Sequence, residues 1–219
     1  MLDAVPPDQT RRHLLRAIAL SPVVLAAPSL LGALACSGAD ATGTSVADGT
    51  DPSLQPTLAC VDDDDDPTVS QTEGPYFTPN SPERTSIRDG VSGTLLTLSG
   101  LVLSTTCQPV NGALLDFWQA NDDGNYDNAG YTLRGHQFTD ATGAFQLETI
   151  VPGLYPGRTR HIHVKVQAPN QPILTTQLYF PGEARNASDG IFDPSLLIRT
   201  SEGADRSVLG QFVFVLHVG

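Results

Sequence analysis

The chain has 219 residues, with 24 acidic against 12 basic side chains and a net charge of -12. Nucleic-acid binding is excluded as a role, because the clustered cations that replace counterions along a phosphate backbone are missing. The 20 glycines, 17 prolines and only 16% charged residues argue against a helical bundle and favour a turn-rich β protein.

Residues 1–35 read as an export signal. Thr10-Arg11-Arg12-His13-Leu14-Leu15-Arg16 is cationic, residues 17–35 are nearly all apolar, and Ala33-Leu34-Ala35 supplies the small-residue end. The paired arginines are similar to a twin-arginine signal, with the general secretory route as the alternative. Pro22 and Pro28 argue against reading the same stretch as a membrane anchor. Cys36 directly follows the signal and could carry a lipid, the one membrane attachment the sequence suggests; a soluble secreted product is the alternative.

Residues 36–67 read as a flexible acidic linker. Positions 37–59 lack periodic apolar residues, and positions 62–66 are five aspartates without the alternating ligands and glycine turn of a calcium loop. In an oxidising compartment Cys60 and Cys107 could form a disulfide; two buried free thiols are the alternative.

Residues 68–219 read as one all-β domain, a β-sandwich of short mixed or antiparallel strands with long active-site loops. Apolar segments of strand length run over 95–103 and 112–120, with further strands over 144–150, 161–167, 175–180 and 211–218. Turns separate them at Asp123-Gly124-Asn125, Ala141-Thr142-Gly143 and Val151-Pro152-Gly153. About seven strands are expected in all, and Trp118, in an apolar strand, is expected in the core.

Chemistry concentrates at His161-Ile162-His163. On a strand, side chains alternate faces, so the two imidazoles point one way and Ile162 the other. Such a pair can share a metal, although surface or hydrogen-bonded histidines have the same pattern. Tyr155 lies beyond a Pro/Gly turn upstream, and Tyr126 sits in the polar loop Asn121-Asp122-Asp123-Gly124-Asn125-Tyr126. Taken singly, either tyrosine reads as an ordinary half-buried amphipathic side chain.

Six segments occur in order: Gly74-Pro75-Tyr76-Phe77, the stretch from Gly112 to Asn121, Gly124-x-Tyr126, Val151-Pro152-Gly153-Leu154-Tyr155-Pro156, Arg158-x-x-His161-Ile162-His163 and Thr176-Gln177-Leu178-Tyr179-Phe180. Together they resemble the intradiol ring-cleavage dioxygenases, and the leader, Cys60, Cys107 and Gly157-Arg158-Thr159-Arg160-His161-Ile162-His163 resemble in particular an exported bacterial branch of that family. The resemblance implies one non-haem Fe(III) per chain, held by Tyr126 and His161 as equatorial and Tyr155 and His163 as axial ligands. It implies a catecholic substrate, cleaved by O2 between the two hydroxyl-bearing carbons to a cis,cis-muconate-type product.

Roles follow by the same resemblance. Tyr155 and an iron-bound hydroxide would leave the metal as the catechol binds and take its protons. Arg158 would stabilise negative charge developing on the ring, Gln177 would hydrogen-bond near the substrate, and Tyr76 would lie on a loop over the site. Arg160, beside His161, could favour an acidic substrate or pair at the surface. His136 is expected near the site's periphery or on the surface. Before residue 60 no helical segment of the kind that builds the dimer interface of catechol 1,2-dioxygenases is expected, and oligomeric state is left open. Two alternatives stay beside this reading: a secreted carbohydrate-binding or transthyretin-like sandwich without catalysis, and a Zn or Cu site in which the tyrosines are bystanders.

Overall fold

The computed structural model describes residues 66–218. The leader, Cys36, Cys60 and the linker up to residue 65 lie outside the described residues. Cys107 is disulfide-bonded, and its expected partner Cys60 is among the residues not described.

Eight strands follow in chain order: β1 (Leu95–Ser104), β2 (Leu114–Trp118), β3 (Arg134–Phe138), β4 (Ala144–Ile150), β5 (His161–Gln167), β6 (Leu174–Tyr179), β7 (Arg199–Glu202) and β8 (Val208–Leu216). They form two four-stranded sheets, one ordered β4-β1-β8-β7 and the other β3-β2-β5-β6. All neighbours are antiparallel except β1 and β8, which run parallel. The expected β-sandwich is therefore observed, with mixed pairing in one sheet and antiparallel pairing in the other.

The core lies between the sheets. Leu96 and Leu98 from β1, Leu147 from β4 and Phe214 from β8 meet Leu115 and Phe117 from β2 and Ile162, Val164 and Val166 from β5. This is the period-two pattern at work, with every second residue of β5 filling the interior. Buried Gln119, just past β2, ties the layers together. It accepts from Thr149 Oγ1 at 2.9 Å and donates to the Ile150 carbonyl at 2.9 Å.

Two strands escape the apolar pattern. In β7 all four residues, Arg199 to Glu202, are exposed, so only pairing with β8 makes them a strand. In β3, Arg134, His136 and Phe138 point away from the inter-sheet core, leaving little apolar signal. The strand expected over 112–120 contracts to β2 because Gly112 turns the chain with a φ of 69°.

Ile162 is fully buried between two histidines that face the opposite way. Ile162→Ala should cost about 2–5 kcal/mol and Ile162→Val about 0.5–1.5 kcal/mol in chemical unfolding, since the close-packed interior collapses incompletely around a void.

Candidate metal centre

Register brings a row of polar side chains onto the outer face of the second sheet. Trp118 is opposite both Arg134 and His163, and His163 is opposite Gln177, so four strands contribute one residue each. His161 and Tyr179 face each other in the adjoining row. Trp118 is buried as expected, but on this outer face, where its indole stacks on His163 at 4.8 Å and 7°. The two imidazole rings lie 4.8 Å apart.

Two loops bring the tyrosines over this face. The backbone of Gly153 donates to the Asn121 carbonyl at 2.7 Å, closing the Tyr155 loop onto the Tyr126 loop. Glycine is required at this junction. A Cβ on Gly153 would stand 2.3 Å from the Asp122 carbonyl oxygen, and one on Gly124 would stand 2.5 Å from that of Leu154. The rings of Tyr126 and Tyr155 are then 5.8 Å apart, and the Tyr126 hydroxyl is 3.1 Å from His161 Nε2.

The loop after Tyr126 is locked from within. Asp127 accepts from the backbone N–H groups of Ala129, Gly130 and Thr132, which hold its carboxyl well below the usual carboxylate range. Arg134, 2% exposed, donates through Nε and Nη2 to the Asp127 carbonyl at 3.2 and 2.7 Å. Arg84 in turn holds the Arg134 carbonyl through Nε and Nη2. Neither arginine stood out in the sequence, because what each grips is a backbone carbonyl.

The segment carrying Tyr76 crosses the site from the other side. Gln177 Nε2 donates to the Thr72 carbonyl at 2.9 Å, and Lys165 pairs with Glu73 at 2.5 Å while lying 3.7 Å over the Phe77 ring. Tyr76 is thereby stacked on Tyr126 at 4.6 Å, with its hydroxyl 2.8 Å from that of Tyr155. Tyr76 therefore lies against both tyrosines of the cluster. Its pKa is raised, chiefly by that hydrogen bond to Tyr155.

Arg158 joins the same face. Its Nε contacts Asp189 at 2.8 Å and its Nη2 donates to Gln177 Oε1 at 2.8 Å. Arg160 is turned away to Glu183 at 2.6 Å and to the Pro152 carbonyl, so its charge is already paired. His136 bonds Ser81 beside Asp116, apart from the two tyrosines.

The donor set fits a metal cation. His161 Nδ1 lies 2.7 Å from the Thr159 carbonyl, which makes it the protonated nitrogen and leaves the Nε2 lone pair facing Tyr126. Burial lowers the His161 pKa to about 4 and pushes that of His163 well below its ordinary value, so both rings are neutral and able to coordinate. Burial likewise drives the Tyr126 phenol far above its usual range, against the pull of Arg158 and Arg134. A buried phenol of this kind ionises when a cation takes the place of its proton. Among the described residues no group of three or more His, Cys, Asp or Glu gathers in one place, and the side chain within hydrogen-bond distance of His161 Nε2 is the Tyr126 phenol.

Two phenols and two imidazoles are thus clustered on one outer face of a β-sandwich. Residues 72–206 match the family model described as "Dioxygenase", and the chain belongs to the intradiol ring-cleavage dioxygenase family. It is 59% identical to a solved dioxygenase domain from a dioxygenase carbohydrate-binding protein fusion of Streptomyces sp. SirexAA-E, covering 70% of this chain and 100% of that one with a TM-score of 0.68. Among curated relatives, it is 28% identical over 153 residues to chlorocatechol 1,2-dioxygenase of Rhodococcus opacus, covering 56% of this chain and 60% of the relative. It is also 33% identical over 138 residues to the protocatechuate 3,4-dioxygenase beta chain of Burkholderia cepacia, covering 55% and 57% respectively. The matched region spans only 51–60% of the length of the first three curated relatives.

Gly153→Ala should pry the two tyrosine loops apart, lowering stability by about 1–3 kcal/mol in thermal melts and weakening metal uptake in titrations. Gly190→Ala, where a Cβ meets nothing within 4 Å, should leave both unchanged.

Proposed function

We propose that this protein is a ferric intradiol dioxygenase, cleaving a catechol between its hydroxyl-bearing carbons with insertion of both atoms of O2. One observation carries the reading. The Tyr126 hydroxyl and His161 Nε2 are 3.1 Å apart, with Tyr155 and His163 in the same cluster. Tyr126, Tyr155, His161 and His163 would hold one Fe(III) per chain, two hard anionic oxygens favouring ferric over ferrous iron. When bound, that ion supplies Lewis acidity and the electron exchange that lets a catecholate react with O2.

The protein's own residues divide the remaining work. Tyr155 Oη is the atom suited to receive a catechol proton, because the Tyr76 hydroxyl already sits 2.8 Å away to hold it once it is a neutral phenol. Trp118 walls the site beside His163, with Phe77 packed edge-on against it at 4.9 Å. Arg158 places a cation beside the position of the ring, where the substrate becomes more anionic as its protons leave. Gln177 ties Arg158 to the segment carrying Tyr76, so charge and cover are set together.

The reaction balances without further co-reactants: one C–C bond breaks, and two oxygen atoms enter as a dicarboxylate. We further propose export of the domain by the leader of residues 1–35, which would deliver the enzyme to catechols outside the cytoplasm.

The test is oxygen uptake by iron-loaded protein across catechol, protocatechuate, hydroxyquinol and caffeate, followed by mass analysis under 18O2. At least one substrate should consume one O2 per ring and yield a dicarboxylate carrying both labelled atoms. No uptake with any of them, or a ring opened beside the diol to an aldehyde, would defeat the proposal.

A further inference from the structure

Arg158 is gripped at two corners. Asp189 Oδ2 accepts from Arg158 Nε and from the Thr159 N–H, each at 2.8 Å, while Asp189 Oδ1 accepts from the Ile191 N–H at 3.2 Å. The Asp189 side chain is only 3% exposed. At the far end of the guanidinium, Nη2 donates to Gln177 Oε1 at 2.8 Å and reaches the Tyr179 hydroxyl at 3.4 Å. Gln177 and Tyr179 stand opposite His163 and His161 on the neighbouring strand, so the Nη end of Arg158 lies over the histidine pair.

A guanidinium is planar, with its donors in a rigid fork. Fixing Nε and Nη2 therefore fixes Nη1, the one nitrogen of the fork without a hydrogen bond to another described residue. The surrounding backbone does not need Asp189 for this. Thr159 is already anchored by its hydroxyl to Asn186 Oδ1 at 2.6 Å, and Arg185 holds the carbonyls of Tyr155 and Arg158 at 3.3 Å each. Besides capping the Thr159 and Ile191 N–H groups, Asp189 orients and partly neutralises one side chain.

We propose that Asp189 is a positioning residue for ring cleavage, its buried carboxylate setting the plane of Arg158 so that Nη1 is presented to the oxygen-bearing edge of the bound catechol. This rests on the dioxygenase reading of the same site. Asp189 makes no hydrogen bond to Tyr126, Tyr155, His161 or His163, and its effect on turnover passes through Arg158.

Asp189→Asn keeps the size of the side chain and removes its charge; because Arg158 Nε and the Thr159 N–H share Oδ2, the neutral amide loosens its hold on both. In the iron-loaded enzyme it should lower kcat about tenfold or more with KM changed less than about threefold, the mark of a contact that matters in the transition state. In an Arg158→Gln background, the same substitution should change kcat less than about twofold. Asp189→Glu, which keeps the charge but displaces it by one methylene, gives a second such cycle if the asparagine variant does not fold. A readout independent of turnover comes from the metal-free protein. The Arg158 Nε–H should exchange slowly with solvent by NMR in the wild type and rapidly in Asp189→Asn.

Unchanged kcat in Asp189→Asn, a full additional loss in the Arg158→Gln background, or equal Nε–H exchange in the two metal-free proteins would overturn the role. Failure of the wild type to cleave any catechol would instead defeat the dioxygenase reading, and the NMR comparison would still decide how Arg158 is held.

Discussion

Strand β5 has to satisfy two environments at once. Ile162, Val164 and Val166 fill the space between the sheets, while His161 and His163 point the opposite way into a second buried layer made of loops. A strand covered on both sides is common where helices pack on a sheet. Here the covering is irregular backbone, which must satisfy its own polar groups without a helix ladder. Hence the density of short-range capping around the site: Asp127 on three N–H groups, Asn121 Oδ1 on those of Asp123 and Asn125, Asp189 on Thr159 and Ile191. Loops built this way can be as fixed as secondary structure.

The two tyrosines depend on β5 only indirectly. Each rides on a loop, and the loops are set against one another through Gly124 and Gly153 at contacts too short for any Cβ. Charge then completes what sterics begin. In an acidic protein, three buried or half-buried arginines surround the site, and none is spent on a surface ion pair in open solvent. Arg134 holds the Tyr126 loop by a carbonyl, Arg160 holds the turn before Tyr155 with Glu183, and Arg158 keeps its charge over the histidines. The charges of Arg158 and Arg134 oppose, without overcoming, the burial that raises the Tyr126 phenol.

Much of this was legible in the chain because it obeys short-range rules. Strands β1, β4 and β5 announce themselves by apolar residues bounded by turn formers, and the period of two alone predicts that His161 and His163 share a face. The tyrosines were a different matter. Nothing local in Gly124-Asn125-Tyr126 or Leu154-Tyr155-Pro156 says that two loops about 30 residues apart meet, so their grouping came from the ordered resemblance to a family. Asp189 was invisible for a related reason: its partner Arg158 is 31 positions away, and a lone aspartate in a polar loop carries no pattern. Strand β7 was missed because exposed Arg-Thr-Ser-Glu becomes a strand only through the edge it pairs with.

The account stands on one claim, that Tyr126 and Tyr155 are metal donors and not aromatic filling beside two histidines. Phenolate bound to ferric iron absorbs visible light, and zinc or copper held by the histidines alone would not give the same band. Metal analysis and the visible spectrum of the purified protein, with Tyr126→Phe and Tyr155→Phe compared alongside, test this most directly. The account predicts one iron per chain and a broad visible band that shifts or weakens in each variant. A colourless zinc protein, or a band identical in the wild type and both variants, would contradict it.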